Sequence, residues 1–231
     1  MTEEMRRDQG AVYPWWKLLQ QWSQLKLAPD RDETEHRFPD SAHEIQWLGY
    51  GGAPEAQIKE LERLLGTALP PSYRQFLAVT DGWIHVDDTE GPLLPTTEIG
   101  WLKDTDPDFV AIWGEEPEGV PPITDFEYFV YGEGQDCVAV RREYFRTALR
   151  ISEWGDSTLL LLNPVVVDER GEWEAWAFAN WYPGAFRYRS FWDLMNQLIK
   201  DDYPDADWSD TTLQPTRPGK GGSPGSSAVS T

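Results

Sequence analysis

Cysteine occurs once in the 231 residues, at Cys137, so no disulfide can close within the chain, and a reducing compartment is the simpler reading. Histidine is nearly as scarce. His36, His43 and His85 are the three present, and none has a second histidine at i+4 or a cysteine pair beside it, the spacings that zinc sites use. Basic residues are outnumbered, 20 against 40 acids, for a net charge of −20. That balance argues against binding a phosphate backbone, which needs clustered Lys and Arg, and against an anionic membrane surface. Long apolar runs are missing too: the longest is the LLLL of residues 159–162, far short of the ~18 residues a spanning helix needs. The opening MTEEMRRDQG has no apolar core behind its positive charges and does not read as a secretory signal. The expectation is a soluble, cytoplasmic protein.

Signatures of catalysis are missing as well. There is no G-x-S-x-G elbow and no P-loop. Gly132-Glu-Gly134-Gln-Asp-Cys137 is a broken G-x-G-x-x-G with two acids where a phosphate would sit, so it reads as a loop. His85-Val-Asp87-Asp88 could offer metal donors, but a strand ending in polar residues gives the same letters. Cys137 has no basic neighbour to favour a thiolate and reads as a small buried hydrophobe. Glu172-Trp-Glu174 could imitate the paired carboxylates of a glycosidase; the plainer expectation places both glutamates on the solvent face of an exposed strand. No catalytic residue, cofactor or metal is expected.

What the chain has in plenty is aromatic side chains: thirteen Trp, nine Tyr and nine Phe, far from the aromatic-poor composition of disordered chains. Trp15, Leu18, Leu19, Trp22 and Leu25 recur at helical spacing behind Pro14, which predicts an apolar-faced helix over residues 14–27. Residues 28–44 are polar and charged, an expected linker. Pro54 and Glu55 open a second helix whose stripe is Ile58, Leu61 and Leu65, with Gly66 placed to end it. Pro70 and Pro71 open a third, with Tyr73, Phe76 and Leu77 on one face and Asp81-Gly82 as the stop. From Trp83 to Val140 short apolar runs such as WIHV, PLLP, FVAIW and YFVYG predict strands and irregular loops. Residues 158–180 predict two strand-rich runs with a hairpin turn at 168–171, the second arm apolar on both faces. Ser190 with Asp193 caps a closing helix with the stripe Phe191, Leu194, Met195, Leu198 and Ile199. Beyond Asp210 a Gly/Pro/Ser-rich stretch reads as a flexible tail. Helices first, strands in the middle and a helix last give an α+β fold.

Gly52-Ala-Pro-Glu with the helix to Gly66, then Leu69-Pro70-Pro71-Ser-Tyr73, Phe76-Leu77 and Asp81-Gly82, resembles the signature of the SUKH superfamily, the Smi/Knr-type proteins. The resemblance runs from about Leu48 to Ile199. It includes Leu93-Leu94-Pro95 with Glu98-Ile99 as a strand, the late hairpin and the closing helix. It implies a mostly antiparallel curved sheet with helices packed on it, preceded here by an extra N-terminal helix. The corresponding organisation is 1–47 helix and linker, 48–200 SUKH-like domain and 201–231 tail. Leu69, Pro70, Pro71, Tyr73, Phe76, Leu77 and Gly82 would then define the fold, with Trp83 expected to be partly buried. Asn163 stands where many relatives have an acid. Bacterial members mostly look like immunity proteins that bind and silence a toxin domain, while fungal relatives suggest an intracellular regulatory adaptor. No catalytic residues transfer with the resemblance.

One compositional feature is left over. Positions 87 to 136 hold fourteen acids and a single base, Lys103. Such a run can simply solvate a domain. Acids interleaved with Trp, Phe and Tyr are also what a surface built for a basic partner contains, since charge steers encounter and aromatics anchor it. On that reading Asp104, Asp106, Asp108, Trp113, Glu115, Glu116 and Glu118 are the candidate contacts to a basic protein, a toxin domain in first place. A carbohydrate-active protein using exposed Trp is the remaining alternative.

Overall fold

A computed structural model describes residues 11–28, 38–84, 86, 89–116, 118–182 and 184–213. The expected tail beyond position 213, most of the polar linker, and His85, Asp87 and Asp88 lie outside the described residues. The architecture is α+β, as expected: a five-stranded antiparallel meander with helices on both faces.

Helices α1 (Trp15–Lys26), α2 (Asp40–Ile45), α3 (Glu55–Leu65) and α4 (Pro71–Val79) come first. The punctuation read from the sequence explains the last two. Gly66 takes a left-handed φ of 73° and ends α3, while Pro70 and Pro71 set up the first turn of α4. Helix α2 was not expected; it lies inside the stretch read as linker, and only Ala42 on it is buried. Strand β1 (Gly100–Trp101) leads into α5 (Leu102–Thr105), α6 (Pro107–Trp113) and α7 (Asp125–Tyr128). The strands β2 (Leu149–Arg150), β3 (Thr158–Val167), β4 (Trp173–Ala179) and β5 (Gly184–Tyr188) complete the sheet, and α8 (Phe191–Asp202) closes the fold.

Two expectations for the middle of the chain are corrected. The FVAIW run is helical: the Asp106 carboxylate accepts from the Phe109 amide and Pro107 occupies the first turn, so the local cap outweighs the strand-like side chains. Around Leu93 there is no extended strand. Trp83, Leu93 and Ser152 form single antiparallel bridges, and regular pairing starts only at Gly100.

Alternation along β3 and β4 sorts side chains between two cores. Leu160, Leu162, Trp173, Ala175 and Ala177 face the layer of α1, α3, α4 and α8. Leu159, Leu161, Trp176 and Phe178 face α5, α6 and the 3₁₀ turn at Arg142–Thr147, packing on Leu102, Phe109 and Phe145. All seven residues of β4 are buried, in keeping with apolar atoms on both of its faces. The hairpin turn is where the sequence put it, with the Gly171 amide donating to the Asp168 carbonyl and Gly171 at φ 81°.

The N-terminal helix belongs to the first core. Trp15, Leu18, Leu19 and Trp22 are buried there with Tyr73, Phe76 and Phe191. Trp83 is fully buried, more deeply than expected, with its indole flat against that of Trp22.

Candidate functional site

The Leu-Pro-Pro-Ser-Tyr motif performs structural work. Leu69, Pro70, Ser72, Tyr73, Phe76 and Leu77 are buried. Tyr73 and Phe76 meet Phe191 edge-on at 4.8 and 5.2 Å, tying α4 to α8. Asp81 accepts from the Thr96 amide at 2.7 Å and from Gln57 Nε2 at 2.9 Å, pinning the turn after α4 to α3 and to the segment at 96. Gly82 has φ 101°, and a Cβ there would stand 2.9 Å from the Leu93 carbonyl oxygen, so only glycine fits this turn.

A helix opened by two prolines has no capping side chain of its own, and Pro70 gives α4 none. Glu172, a hundred residues later, supplies it. Its carboxylate accepts from the Ser72 amide at 2.8 Å, the Ser72 hydroxyl at 2.6 Å and the Tyr13 hydroxyl at 2.6 Å. An acceptor at this end of a helix satisfies an orphan N–H and complements the dipole. Burial still raises the Glu172 pKa above the ordinary 4.5, with the Ser72 and Tyr13 hydrogen bonds opposing the rise.

Glu174 occupies a second polar knot on the opposite face. Its carboxylate accepts from Tyr128 Oη (2.5 Å), Tyr131 Oη (2.8 Å), Trp176 Nε1 (2.7 Å) and Asn163 Nδ2 (3.0 Å). The fully buried Arg187 guanidinium stands 3.8 Å away, donates to the carbonyls of Tyr128 and Val130, and lies 4.3 Å from the Tyr128 ring centroid. Burial and the neighbouring carboxylate push the hydroxyls of Tyr128 and Tyr131 far above the ordinary tyrosine range, keeping them as donors. An acid at position 163 would set a second carboxylate against Glu174, whereas the asparagine amide donates to it.

Both glutamates are therefore interior, which overturns the expectation of an exposed acidic strand face. In both, every carboxylate oxygen accepts a hydrogen bond from the protein's own donors. Cys137 is half-buried rather than buried. Among the described residues no group of three or more His, Cys, Asp or Glu could hold a metal ion, and no helix is long and apolar enough to cross a membrane.

The acidic stretch lies largely at the surface. Glu98, Asp104, Asp108, Glu115, Glu116, Glu118, Asp125, Glu127, Glu133 and Asp136 are exposed, whereas Glu90 is buried. The candidate contact residues divide by role. Asp106 caps α6 and accepts from Trp154 Nε1 at 3.0 Å. Glu115 pairs with Arg146 at 3.0 Å, and Glu116 accepts from the Arg142 amide at 3.1 Å. Asp104 on α5, Asp108 on α6 and Glu118 beyond α6 are exposed. Trp113 is half-buried, edge-on to Phe178 at 4.9 Å, with the Arg142 guanidinium 5.2 Å from its ring centroid.

The same stretch also exposes apolar side chains, which its strand-like runs do not predict. Ile112, Val120, Phe129 and Val138 are exposed, and Phe126 is 90% exposed. The signal was available: α7 carries Phe126 and Tyr128 two residues apart, so a four-residue helix that buries one must turn the other outward.

The profile of the SMI1/KNR4 family (SUKH-1) matches residues 52–197, which span the motif helices, the whole sheet and most of α8. The chain belongs to the SMI1/KNR4 family. No curated protein matches it. The SMI1/KNR4 match begins at Gly52, so α1 is an element added ahead of the matched region yet packed into its core.

Proposed function

We propose that this SMI1/KNR4 family member acts by binding, as an immunity protein that neutralises a basic toxin domain. One observation carries the reading: ten exposed carboxylates and several exposed apolar side chains share the stretch between Glu98 and Val138. Like-charge repulsion makes so dense an acidic surface costly to the folded state, and a basic partner relieves that cost while gaining fast, steered encounter. Apolar residues among the acids supply the anchoring that charge alone lacks. Asp104, Asp108 and Glu118 are the acids to test within the first part of this surface, because reversing Asp106, Glu115 or Glu116 would also disturb local structure.

Co-expression with a toxin encoded beside this chain tests the proposal. Rescue of the cells, weakened by Asp104→Lys with Asp108→Lys and Glu118→Lys, is the expected result. Rescue, binding and the salt dependence of binding all unchanged by those reversals would remove the acidic-surface mechanism. A stable partner that is no toxin, with no rescue, would favour a regulatory adaptor.

A further inference from the structure

Residues 123–139 form a surface segment whose two sides do different things. Its inner side is clipped to the sheet. Tyr128 and Tyr131 donate to Glu174 on β4, and Arg187 on β5 holds the carbonyls of Tyr128 and Val130. Gln135 exchanges two hydrogen bonds with the Arg187 backbone, accepting its amide at 2.7 Å and donating to its carbonyl at 3.2 Å. The Ala185 amide donates to the Cys137 carbonyl at 2.9 Å, extending β5 by a further contact. Thr124 and Glu127 form a reciprocal capping box that fixes the start of α7.

The outer side is an open groove of about 290 Å³ walled by Ile123, Phe126, Val130, Val138 and Ala139. Glu127 and Asp136 also line it, and Asp125 and Glu133 are exposed in the same segment. A phenylalanine 90% exposed on a segment held this firmly is not a fraying end; the fold presents it.

We propose that this groove is the anchor point for a protein partner and takes an apolar side chain flanked by lysine or arginine. The inference rests on the immunity reading only for the partner's identity, and it moves the anchor from Trp113 to Phe126. Charge decides the occupant. The acids beside the groove favour a cationic segment, and a second copy of this chain, itself carrying a net charge of −20, would bring carboxylates against carboxylates. The clip behind the groove lowers the ordering cost of binding.

The test uses the full chain and three synthetic peptides, one alternating lysine with leucine, one lysine with serine and one glutamate with leucine, followed by calorimetry and backbone amide shifts. The lysine–leucine peptide is expected to bind with shifts centred on residues 123–139, weakening as salt rises. Phe126→Ser, a surface change that leaves the fold intact, is expected to lower its affinity about tenfold or more, as loss of a buried aromatic anchor does. The lysine–serine peptide is expected to bind at least about tenfold more weakly, for want of that anchor. No binding of the lysine–leucine peptide, equal binding of the lysine–serine peptide, or affinity untouched by Phe126→Ser overturns the proposal. So does a dimer of the free chain that Phe126→Ser dissolves, which would seat a second copy in the groove. Rescue from the neighbouring toxin is a separate readout: its absence with peptide binding intact removes the immunity reading and leaves the groove standing.

Discussion

The indole of Trp22 lies on that of Trp83 with ring centroids 5.3 Å apart and planes 7° apart. Trp47 meets Trp83 edge-on at 5.3 Å. The three indoles join α1, the segment before α3 and the turn after α4 into one cluster, so an element outside the family match seals the motif's own core. Trp22 Nε1 donates to Asp202 on α8 at 3.2 Å, and Lys26 pairs with the same carboxylate oxygen at 2.7 Å.

Trp22→Ala should therefore destabilise the whole domain, by about 3–5 kcal/mol as other buried aromatic truncations do. Guanidinium unfolding is the measurement. Because Trp22 and Trp83 touch, the double variant should cost less than the two single variants added together. A loss below about 1 kcal/mol, the size of a surface substitution, would mean that α1 is dispensable.

Punctuation explains what could be read in advance. Gly66, Pro70-Pro71 and Ser190 act on their own neighbours, so α3, α4 and α8 were legible from short stretches. The Asp106-Pro107 cap was equally local, but the FVAIW side chains suggested a strand, and the cap prevails. Glu172 and Glu174 were beyond such reading. Alternation assigns a residue to a face, yet it cannot tell what covers that face. The covering residues, Ser72 for one and Tyr128 for the other, come from 100 and 46 positions away. The same distance hides the groove, since its inner clip depends on partners in β4 and β5.

Tyr73 offers a test of what the motif tyrosine contributes. Its ring is buried between Phe76 and Phe191, while its hydroxyl has no hydrogen-bond partner among the described residues. Burial, with nearby Asp81 adding to it, raises its pKa well above the ordinary value. Tyr73→Phe keeps the ring and removes the unpaired polar group, so it should be neutral or stabilising by up to about 1 kcal/mol. Thermal unfolding checks it; a clear loss of stability would show that the hydroxyl has a partner of its own.

Glu172 gives a pH dependence whose sign follows from its raised pKa. Between the ordinary value of 4.5 and the raised one, the folded chain holds a proton that the unfolded chain has released. Stability from this group is thus full at acid pH and is lost as pH rises through that window. Glu172→Gln has no proton to lose. Its stability relative to the unsubstituted chain should improve as pH climbs above 4.5, read from guanidinium midpoints of both proteins across the range. A stability difference that stays constant, or a Glu172→Gln chain that loses stability relative to the unsubstituted one as pH rises, would contradict the assignment.

Glu174 is the residue on which the outward display of Phe126 depends. Glu174→Ala leaves the hydroxyl of Tyr128, the indole N–H of Trp176 and the guanidinium of Arg187 buried without their shared acceptor. Removing one partner of such a buried pair costs about 3–5 kcal/mol. The loss should not be uniform. Tyr128 and Tyr131 are tethers of the 123–139 segment, whereas α3 and α4 are held to the other face of the sheet by separate contacts. Amide exchange should therefore accelerate first at residues 125–136, at denaturant concentrations where α3, α4 and α8 remain protected. Binding of the lysine–leucine peptide should fall with it even though no groove side chain has changed, because a loosened segment must be reordered on binding. Uniform acceleration across the chain would mean that Glu174 supports the sheet as a whole and not the groove in particular.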